Sequence, residues 1–313
     1  MVKRKNDAPI DMLSICIPVY NFNVTTLVND LCTQINKSKL SIEIILIDDN
    51  STNEDIKLKN KIFVNELDFK INYIELKSNI GRAAIRNKMG RIAKNDYLLF
   101  IDSDSQIPDN FILNYCNSIP SHVVIGGTQY KNEYNKQTYL RWVYGMKREK
   151  KNVQERSKNP YSSFTANNFL IKKNIFLSIQ FNESITAYGH EDTYFGYEIK
   201  KLKIPITHID NAVYHIGLEN AETFILKTLD AVKNLYLLYN NHKDEQVFVQ
   251  DNKLLYTLEQ FNSTPIKKPI SWFLSALKPI FYKNLISSYP ILFFLDLYKL
   301  AYILELDKEK AKP

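Results

Sequence analysis

The sequence has 313 residues, 45% of them hydrophobic, with only 8 glycines and 11 prolines. This composition excludes a disordered or collagen-like chain, and the length suffices for one large domain with an appendage or for two ordinary domains. The formal charge of +7 suits an anionic partner, but no basic run is interleaved with aromatic residues, so nucleic acid is not an expected partner.

The first third of the chain alternates strand and helix patterns. Apolar segments rich in Ile, Val and Leu predict strands, and apolar residues at helical spacing predict helices between them. The strands are 13–20, 42–50, 71–77 and 96–104, and the helices include 24–35 and 80–94. This alternation is typical of a mostly parallel, doubly wound sheet with helices on both faces. In such sheets, ligands bind beyond the carboxyl ends of the strands.

The rhythm changes from about residue 121. The pattern there predicts three strands and two helices. In chain order these are strand 123–130, strand 167–173, helix 191–204, strand 206–217 and helix 219–241. Beyond residue 241, prolines separate short amphipathic pieces, so we expect a helical extension there.

Cysteine usage and the N-terminus indicate a reducing compartment. Cys16, Cys32 and Cys116 are an odd number without CxxC spacing, and each has apolar neighbours. The basic N-terminus lacks the apolar core of a signal peptide. No apolar run reaches the roughly 20 residues that a membrane-spanning helix needs. The sequence therefore predicts a cytoplasmic protein.

Two aspartates follow the apolar strand that ends near residue 101. Asp102 and Asp104 have only Ser103 between them, and side chains two apart on an extended chain point the same way. Such a pair is the minimal oxygen clamp for Mg²⁺ or Mn²⁺, and without a cation the repulsion would raise the pKa of one carboxyl. The alternative is a solvated turn that caps a helix at 108–117.

Five motifs occur in one order along the chain. They are PVYNF (18–22), LIDDNST (46–52), NIGRAAIRN (79–87), FIDSDSQIPDNF (100–111) and YGHEDTYFGYEIKK (188–201). Together they resemble the family 2 glycosyltransferases, enzymes of the GT-A fold that use nucleotide-sugar donors. The resemblance covers about 10–240. It implies a GT-A type α/β domain over 1–241, with a nucleotide-binding half at about 10–120, an acceptor half at about 121–241 and a helical C-terminal extension at 242–313.

The resemblance implies that the first two motifs bind the nucleoside of the donor. Pro18 and Tyr20 lie where the family contacts the base, and Tyr20 is either a stacking ring or a core residue. Asp49 is expected to accept a hydrogen bond from the base or ribose. Asp48 is also a donor-site candidate, although one aspartate of the pair is expected to serve an ordinary turn.

The third and fourth motifs are expected to hold the diphosphate. Arg82 and Arg86 lie one turn apart on a helix and can offer guanidinium groups to phosphates, or else are solvated surface residues. By resemblance, Asp102 and Ser103 contact the donor. Asp102 and Asp104 bind the cation, with His215 as a third ligand, although a lone histidine can be structural. A mostly oxygen site suits Mn²⁺ or Mg²⁺.

The fifth motif carries the expected catalytic base. Glu191 and Asp192 precede a helix, where acids also favour the N-terminal dipole. The resemblance makes Asp192 the base that deprotonates the acceptor hydroxyl, with inversion at the anomeric carbon, while Glu191 positions the acceptor. Trp142, Asn167 and Asn168 are candidate acceptor contacts, although Asn pairs are equally good turn residues.

Other functions remain alternatives at this point. A metal-dependent nucleotidyltransferase also uses paired aspartates but does not require the Glu-Asp element, and a non-catalytic carbohydrate-binding protein needs neither. A dinucleotide oxidoreductase is not expected, because no GxGxxG follows the first strand. The QxxRW element of processive family members is not found downstream of Asp192, which favours single additions over polymer synthesis, and the expected process is polysaccharide biosynthesis.

The segment 265–306 mixes aromatic and apolar residues with lysines. This pattern is typical of a helix lying in the interface of an anionic membrane, and a lipid-linked glycan is then a plausible acceptor besides a soluble glycan. The alternative is that these helices pack on the catalytic domain or on a second subunit of a homo-oligomer. We expect peripheral attachment at the cytoplasmic face.

Overall fold

The computed structural model describes residues 13–38, 42–242 and 245–310. The segment inspected for a signal sequence, 1–12, lies outside them. Two compact units are present: the first holds residues up to 131, 150–183 and 191–217, and the second holds 132–149, 184–190 and 218 onward. This division differs from the predicted boundary after residue 241, because the long helix ending there belongs to the second unit.

The first unit contains two sheets. In chain order the strands are β1 (Leu13–Val19), β2 (Ile42–Asp48), β3 (Ile71–Glu75), β4 (Tyr97–Ile101), β5 (Ser105–Gln106), β6 (Val123–Ile125), β7 (Thr128–Gln129), β8 (Asn168–Lys172), β9 (Ile206–His208) and β10 (Val213–His215). The main sheet has the order β3-β2-β1-β4-β8-β6-β9, and the small sheet has the order β5-β10-β7. In the main sheet only β8 runs antiparallel to its neighbours, β4 and β6. The predicted mostly parallel sheet is confirmed.

Helices flank the main sheet of the first unit and make up most of the second unit. They are α1 (Thr25–Ser38), α2 (Glu54–Glu66), α3 (Gly81–Ile92), α4 (Phe111–Ser118), α5 (Tyr139–Tyr144), α6 (Val153–Lys158), α7 (Lys173–Ile179), α8 (Glu191–Lys201), α9 (Ala221–Asn241), α10 (Gln246–Asp251), α11 (Lys253–Asn262), α12 (Lys267–Leu285) and α13 (Leu292–Lys310). A π-helical turn, Gly145–Glu149, extends α5.

Strand alternation sends side chains to two separate cores. Leu13, Ile15 and Ile17 of β1 pack on one face of the sheet with the apolar sides of α1 and α4. Cys16 packs on the other face with Phe100 and with apolar residues of α3, α7 and α8. Burial on both faces explains why these strands read as continuous apolar runs. All three cysteines are buried free thiols.

Two predicted long strands are each divided between the two sheets. The segment 123–130 forms β6, turns at Gly126-Gly127 and continues as β7, since Gly127 has a φ of +92°. The segment 206–217 forms β9 and β10 in the same way. These turns carry the chain from the main sheet to the small sheet, which lies where β4 gives way to Asp102 and Asp104.

The second unit is helical. Helix α13 packs against α9, α11 and α12, around buried Leu140, Ile225, Leu285 and Leu295. Among the helices of the described residues, none combines the length and apolar character needed to span a bilayer.

Candidate active site

The loops after β1 and β2 are joined by side-chain hydrogen bonds. Asp48 accepts from the backbone N–H and the hydroxyl of Ser51, both at 2.7 Å. Asn21, at a φ of 51°, accepts from the N–H groups of Thr52 and Asn53 at 2.8 and 2.9 Å. Both oxygens of Asp48 therefore serve a turn, as one aspartate of the pair was expected to do.

Asp49 connects β2 to the start of α3. Its carboxylate accepts from the backbone N–H of Ile80 at 2.7 Å and of Gly81 at 3.0 Å. Burial and the neighbouring Asp48 raise the pKa of Asp49 overall, although the two N–H groups oppose this. Tyr20 is 48% exposed and is therefore not a core residue. Its exposed ring and Asp49 follow adjacent strands at the carboxyl edge of the sheet, with Pro18 half-buried in β1.

Two arginines of α3 meet two carboxylates at this edge. Arg86 donates from Nη2 to Asp102 Oδ1 at 2.5 Å, and its Nη1 lies 3.6 Å from Glu191 Oε1. Arg82 donates from Nε to Glu191 Oε1 at 3.0 Å and from Nη2 to Asp102 Oδ2 at 3.4 Å. Charge alternates around this four-residue cluster, so neither carboxylate faces the other without an intervening guanidinium.

The two arginines differ in exposure. The side chain of Arg82 is 42% exposed, whereas that of Arg86 is 1% exposed. The alternative that both are solvated surface residues is therefore wrong for Arg86. Only Arg82 has a guanidinium that a ligand from solvent can reach directly.

Asp104 and His215 form the second part of the edge. Residues Ser105 of β5 and His215 of β10 are paired in antiparallel register, which brings Asp104 Oδ2 to 3.4 Å from His215 Nδ1. Gly217 lies against the same carboxylate: an added Cβ would meet Asp104 Oδ2 at 2.6 Å. The ring of Tyr130 packs edge-on against His215.

The donor atoms fit a hard or borderline divalent cation. Asp102 and Asp104 supply carboxylate oxygens, which suit Mn²⁺ or Mg²⁺, and His215 adds one imidazole nitrogen. Nε2 of His215 is buried and has no hydrogen-bond partner within the described ranges, and it is the other ring nitrogen, Nδ1, that faces Asp104. Those ranges contain no preassembled group of three His, Cys, Asp or Glu side chains suited to a metal, because Asp102 faces the arginines rather than Asp104. Ser103 lies half-buried between the two aspartates.

Asp192 is the second residue of α8, directly after Glu191. Its Oδ1 accepts from the N–H of Thr193 at 2.7 Å. Burial and the charge of Glu191 raise the pKa of Asp192 to about 6, against the lowering effects of that N–H group, Arg82 and Arg86. A carboxylate with a pKa near neutrality is suited to general-base work.

The three candidate acceptor residues have different surroundings. Asn167 donates to the hydroxyl of Thr128 at 2.8 Å, and its carbonyl accepts from the N–H of Asp102 at 3.1 Å, so it lies beside the site. Trp142 belongs to the second unit, where its ring packs on Tyr134 and Tyr139.

Asn168 is a correction to the predicted acceptor contacts. Its side chain is fully buried, accepts from the hydroxyl of Tyr115 at 2.6 Å, and donates to the carbonyls of Gly127 and Asn211 at 2.9 Å. These bonds tie β8 to the turn after β6 and to the loop before β10. Asn168 therefore stabilises the core below the site and does not face an acceptor.

Sequence reasoning missed Thr128, Tyr130 and Phe181. Thr128 and Tyr130 approach Asn167 and His215 only because β7 pairs with β10, and Phe181 lies with its ring centroid 5.7 Å from Cζ of Arg86. Their only sequence signal was the pair of glycines before Thr128, which indicated a turn but not its partner.

The sequence model of Glycosyl transferase family 2 matches residues 14–180. The match covers more than half of the chain and includes four of the five motifs. The chain therefore belongs to family 2 of the glycosyltransferases.

Three curated relatives carry glycosyltransferase names. An uncharacterised glycosyltransferase of Haemophilus influenzae is 34% identical over 115 residues, 36% of this chain and 45% of the relative. Poly(ribitol-phosphate) beta-glucosyltransferase of Bacillus spizizenii is 32% identical over 34% of this chain and 17% of its own length. Chondroitin synthase of Escherichia coli is 27% identical over 66% of this chain and 35% of its own length. The chain thus spans less than half the length of these relatives.

Solved structures share the fold. Residues 1–349 of S. aureus TarS superpose with a TM-score of 0.53 at 16% identity, covering 96% of this chain and 92% of that chain. The mannosyltransferase PcManGT of Pyrobaculum calidifontis, solved with GDP-Man and Mn²⁺, has a TM-score of 0.53 at 14% identity, covering 76% and 68%. These similarities confirm the predicted GT-A type α/β architecture.

Proposed function

We propose that this chain transfers a sugar from a nucleotide-diphosphate donor to a hydroxyl acceptor, with inversion. The observation that carries the proposal is the junction of Arg82, Asp102 and Glu191 at the carboxyl edge of the sheet, within a chain of family 2. At this junction the exposed guanidinium of Arg82, which can bind phosphate, lies next to Asp102, which is suited to a metal, and Glu191, which is suited to an acceptor. A nucleotidyltransferase has no need for the last of these.

Asp192 is the proposed base. With a pKa of about 6 it is mostly ionised at neutral pH yet basic enough to draw the proton from an acceptor hydroxyl as that oxygen attacks the anomeric carbon. Glu191, held by Arg82, orients the acceptor. Arg82 offers its exposed guanidinium to the charge that develops on the departing nucleoside diphosphate.

Asp102, Asp104 and His215 are the proposed holders of Mn²⁺ or Mg²⁺. When bound, such a cation neutralises charge on the diphosphate leaving group. His215 supports this role through its Nδ1, which lies 3.4 Å from Asp104 Oδ2, so that both groups would reach a cation held between them.

The donor and acceptor classes rest on similarity. The structure of TarS in complex with UDP matches this chain with a TM-score of 0.50, and PcManGT was solved with GDP-Man. UDP- and GDP-sugars are therefore the first donors to try. Exposed Tyr20 and Asp49 are the proposed nucleoside contacts. The Bacillus and Escherichia relatives are named for poly(ribitol-phosphate) and chondroitin, which are polymers with hydroxyl groups and support a glycan or lipid-linked glycan acceptor near Asn167.

Release of nucleoside diphosphate tests the proposal. The full chain is incubated with UDP- and GDP-sugars, with and without Mn²⁺, and with nucleoside triphosphates as the competing substrate class. We expect cation-dependent release of UDP or GDP that is lost in Asp192→Asn. Pyrophosphate release from triphosphates instead identifies a nucleotidyltransferase. Sugar binding without any turnover identifies a carbohydrate-binding protein.

We further propose peripheral attachment to an anionic membrane through α12. Its inward face buries Leu274, Phe281 and Leu285, yet its outward face is also apolar. That stripe is Pro269, Trp272, Phe273, Ala276, Pro279 and Ile280, with Trp272 74% exposed and with exposed Lys268 and Lys283 at its two ends. An outward apolar stripe between lysines suits the headgroup boundary of a bilayer. The three buried free thiols suit the reducing, cytoplasmic side.

Co-sedimentation with vesicles of phosphatidylcholine and phosphatidylserine tests the attachment. We expect the triple change Trp272→Ser, Phe273→Ser, Ile280→Ser to abolish binding. The matched control replaces Leu58 and Ile62, exposed apolar residues of α2, by serine. Unchanged vesicle binding of the triple variant contradicts the proposal. If the triple change instead turns an oligomer into a monomer, the stripe is a subunit interface.

A further inference from the structure

Arg86 is the more deeply buried of the two arginines of α3. Its guanidinium is 1% exposed, lies near the Phe181 ring, and donates from Nη1 to the backbone carbonyl of Arg82 at 3.1 Å. A diphosphate arriving from solvent meets Arg82 first. The sequence-based expectation that both arginines bind the donor therefore applies poorly to Arg86.

Its contacts join two parts of the site that are far apart in the chain. One guanidinium reaches Asp102, which follows β4, and Glu191, which begins α8 next to Asp192. The fork of a guanidinium can hold two carboxylates in fixed directions, which an ammonium cannot do. The buried charge of Arg86 also offsets two carboxylates that would otherwise repel each other.

We infer that Arg86 is a positioning residue that fixes Asp102 and Glu191 relative to each other, and that Arg82 is the one of the two α3 arginines that contacts the donor. This inference rests on the proposed function. When a cation or a diphosphate competes for the carboxylates, the exposed contact of Arg82 to Asp102, at 3.4 Å, is the one that yields. The contact of Arg86 to Asp102 persists and maintains the orientation of the Asp102 carboxylate.

A comparison of matched variants separates the two roles. Arg86→Lys and Arg82→Lys keep the charge and remove the fork, and Arg82→Gln removes the charge at the exposed position. Binding of UDP and GDP with Mn²⁺ is measured by calorimetry on the full chain, and kcat and KM are measured with the donor found in the release assay. We expect Arg86→Lys to lower kcat by about 10- to 100-fold, because small misplacements of reacting groups are costly. Nucleotide affinity is expected to change less than about threefold in that variant, since the buried side chain makes no donor contact.

Arg82→Gln is expected to show the opposite pattern, with nucleotide affinity lowered by about tenfold, the size of effect expected for a lost charged hydrogen bond. Equal loss of nucleotide affinity in Arg86→Lys and Arg82→Gln, with kcat kept in Arg86→Lys, overturns the inference. Failure of the wild-type chain to turn over any donor overturns the proposed function instead, and the binding comparison still tests Arg86.

A second measurement covers variants that fold poorly. Arg86→Gln leaves half-buried Asp102 and buried Glu191 with only the exposed Arg82 as a charged partner within the cluster and should lower the melting temperature. Adding Glu191→Gln should recover part of that loss, because one uncompensated charge is removed. Additive losses in the double variant show that Arg86 and Glu191 are not coupled and contradict the bridge.

Discussion

Asp104 and His215 face each other across a two-strand pairing, with 3.4 Å between Oδ2 and Nδ1. They come from segments more than a hundred residues apart, and only the small sheet brings them together. Because Asp104 faces Nδ1, the proposed cation shared by these two side chains would lie on that side of the ring, away from the buried Nε2.

Replacing His215 by alanine tests whether this side chain holds the cation. We expect the affinity for Mn²⁺ to fall by about tenfold or more, the effect typical of residues that hold or orient metal ligands. Titration of the full chain with Mn²⁺ by calorimetry or electron paramagnetic resonance measures it. An unchanged titration assigns the ring to a structural role against Tyr130.

Gly217 provides an independent test of Asp104. In Gly217→Ala the new Cβ would lie 2.6 Å from Asp104 Oδ2, so the carboxylate must shift away. We expect weaker Mn²⁺ binding together with a lower melting temperature, because the new Cβ also lies 2.7 Å from Asp104 Cβ, which side-chain rotation cannot move away. The matched control is Gly196→Ala, where the clash is with Phe164 and the carbonyl of Tyr161, and where stability rather than metal affinity should fall.

Asp192→Asn should lower turnover by about 10²- to 10⁴-fold while donor binding is kept. In the wild-type protein the rate should rise with pH through about 6, because the base works only when deprotonated. Loss of donor affinity in parallel with turnover contradicts the assignment of Asp192 as base.

The raised pKa of Asp192 also makes the stability of the folded protein depend on pH. A buried carboxyl whose folded pKa lies above its unfolded value destabilises the folded state once it ionises. Asp192→Asn stays neutral, so its melting temperature should exceed that of the wild type above pH 6, and the gain should shrink as the pH falls below 6. A gain independent of pH from 4 to 8 is the contrary result.

Asn168→Ala tests the corrected role of this residue. The change removes the three hydrogen bonds that the Asn168 side chain makes with the Tyr115 hydroxyl and with the carbonyls of Gly127 and Asn211, although Tyr115 and Gly127 each keep one backbone partner. We expect a loss of about 1–3 kcal/mol in the free energy of unfolding, measured in urea, with KM for the acceptor unchanged in the folded protein. Asn167→Ala is the control, and there the acceptor KM should rise with a smaller loss of stability.

The main sheet could be predicted because its strands are buried on both faces and read as continuous apolar runs. The division of 123–130 and 206–217 between two sheets could not, since strand pairing across distant segments leaves no local pattern. Asp102 and Glu191 were found from their motifs. The burial of Arg86 could not be predicted. Helical periodicity on α3 places a charged residue on one face of the helix, but it does not reveal that two carboxylates balance the charge inside the protein.

The reversed direction of β8 changes where functional side chains arise along the chain. Its first residue pairs with the last residue of β4, so the segment leading into β8, rather than the one leaving it, borders the ligand edge. Residues just before position 168 therefore border the ligand edge. If β8 were parallel to its neighbours, the residues just after its end would lie there instead. Variation in acceptor preference among related chains should accordingly concentrate upstream of this strand.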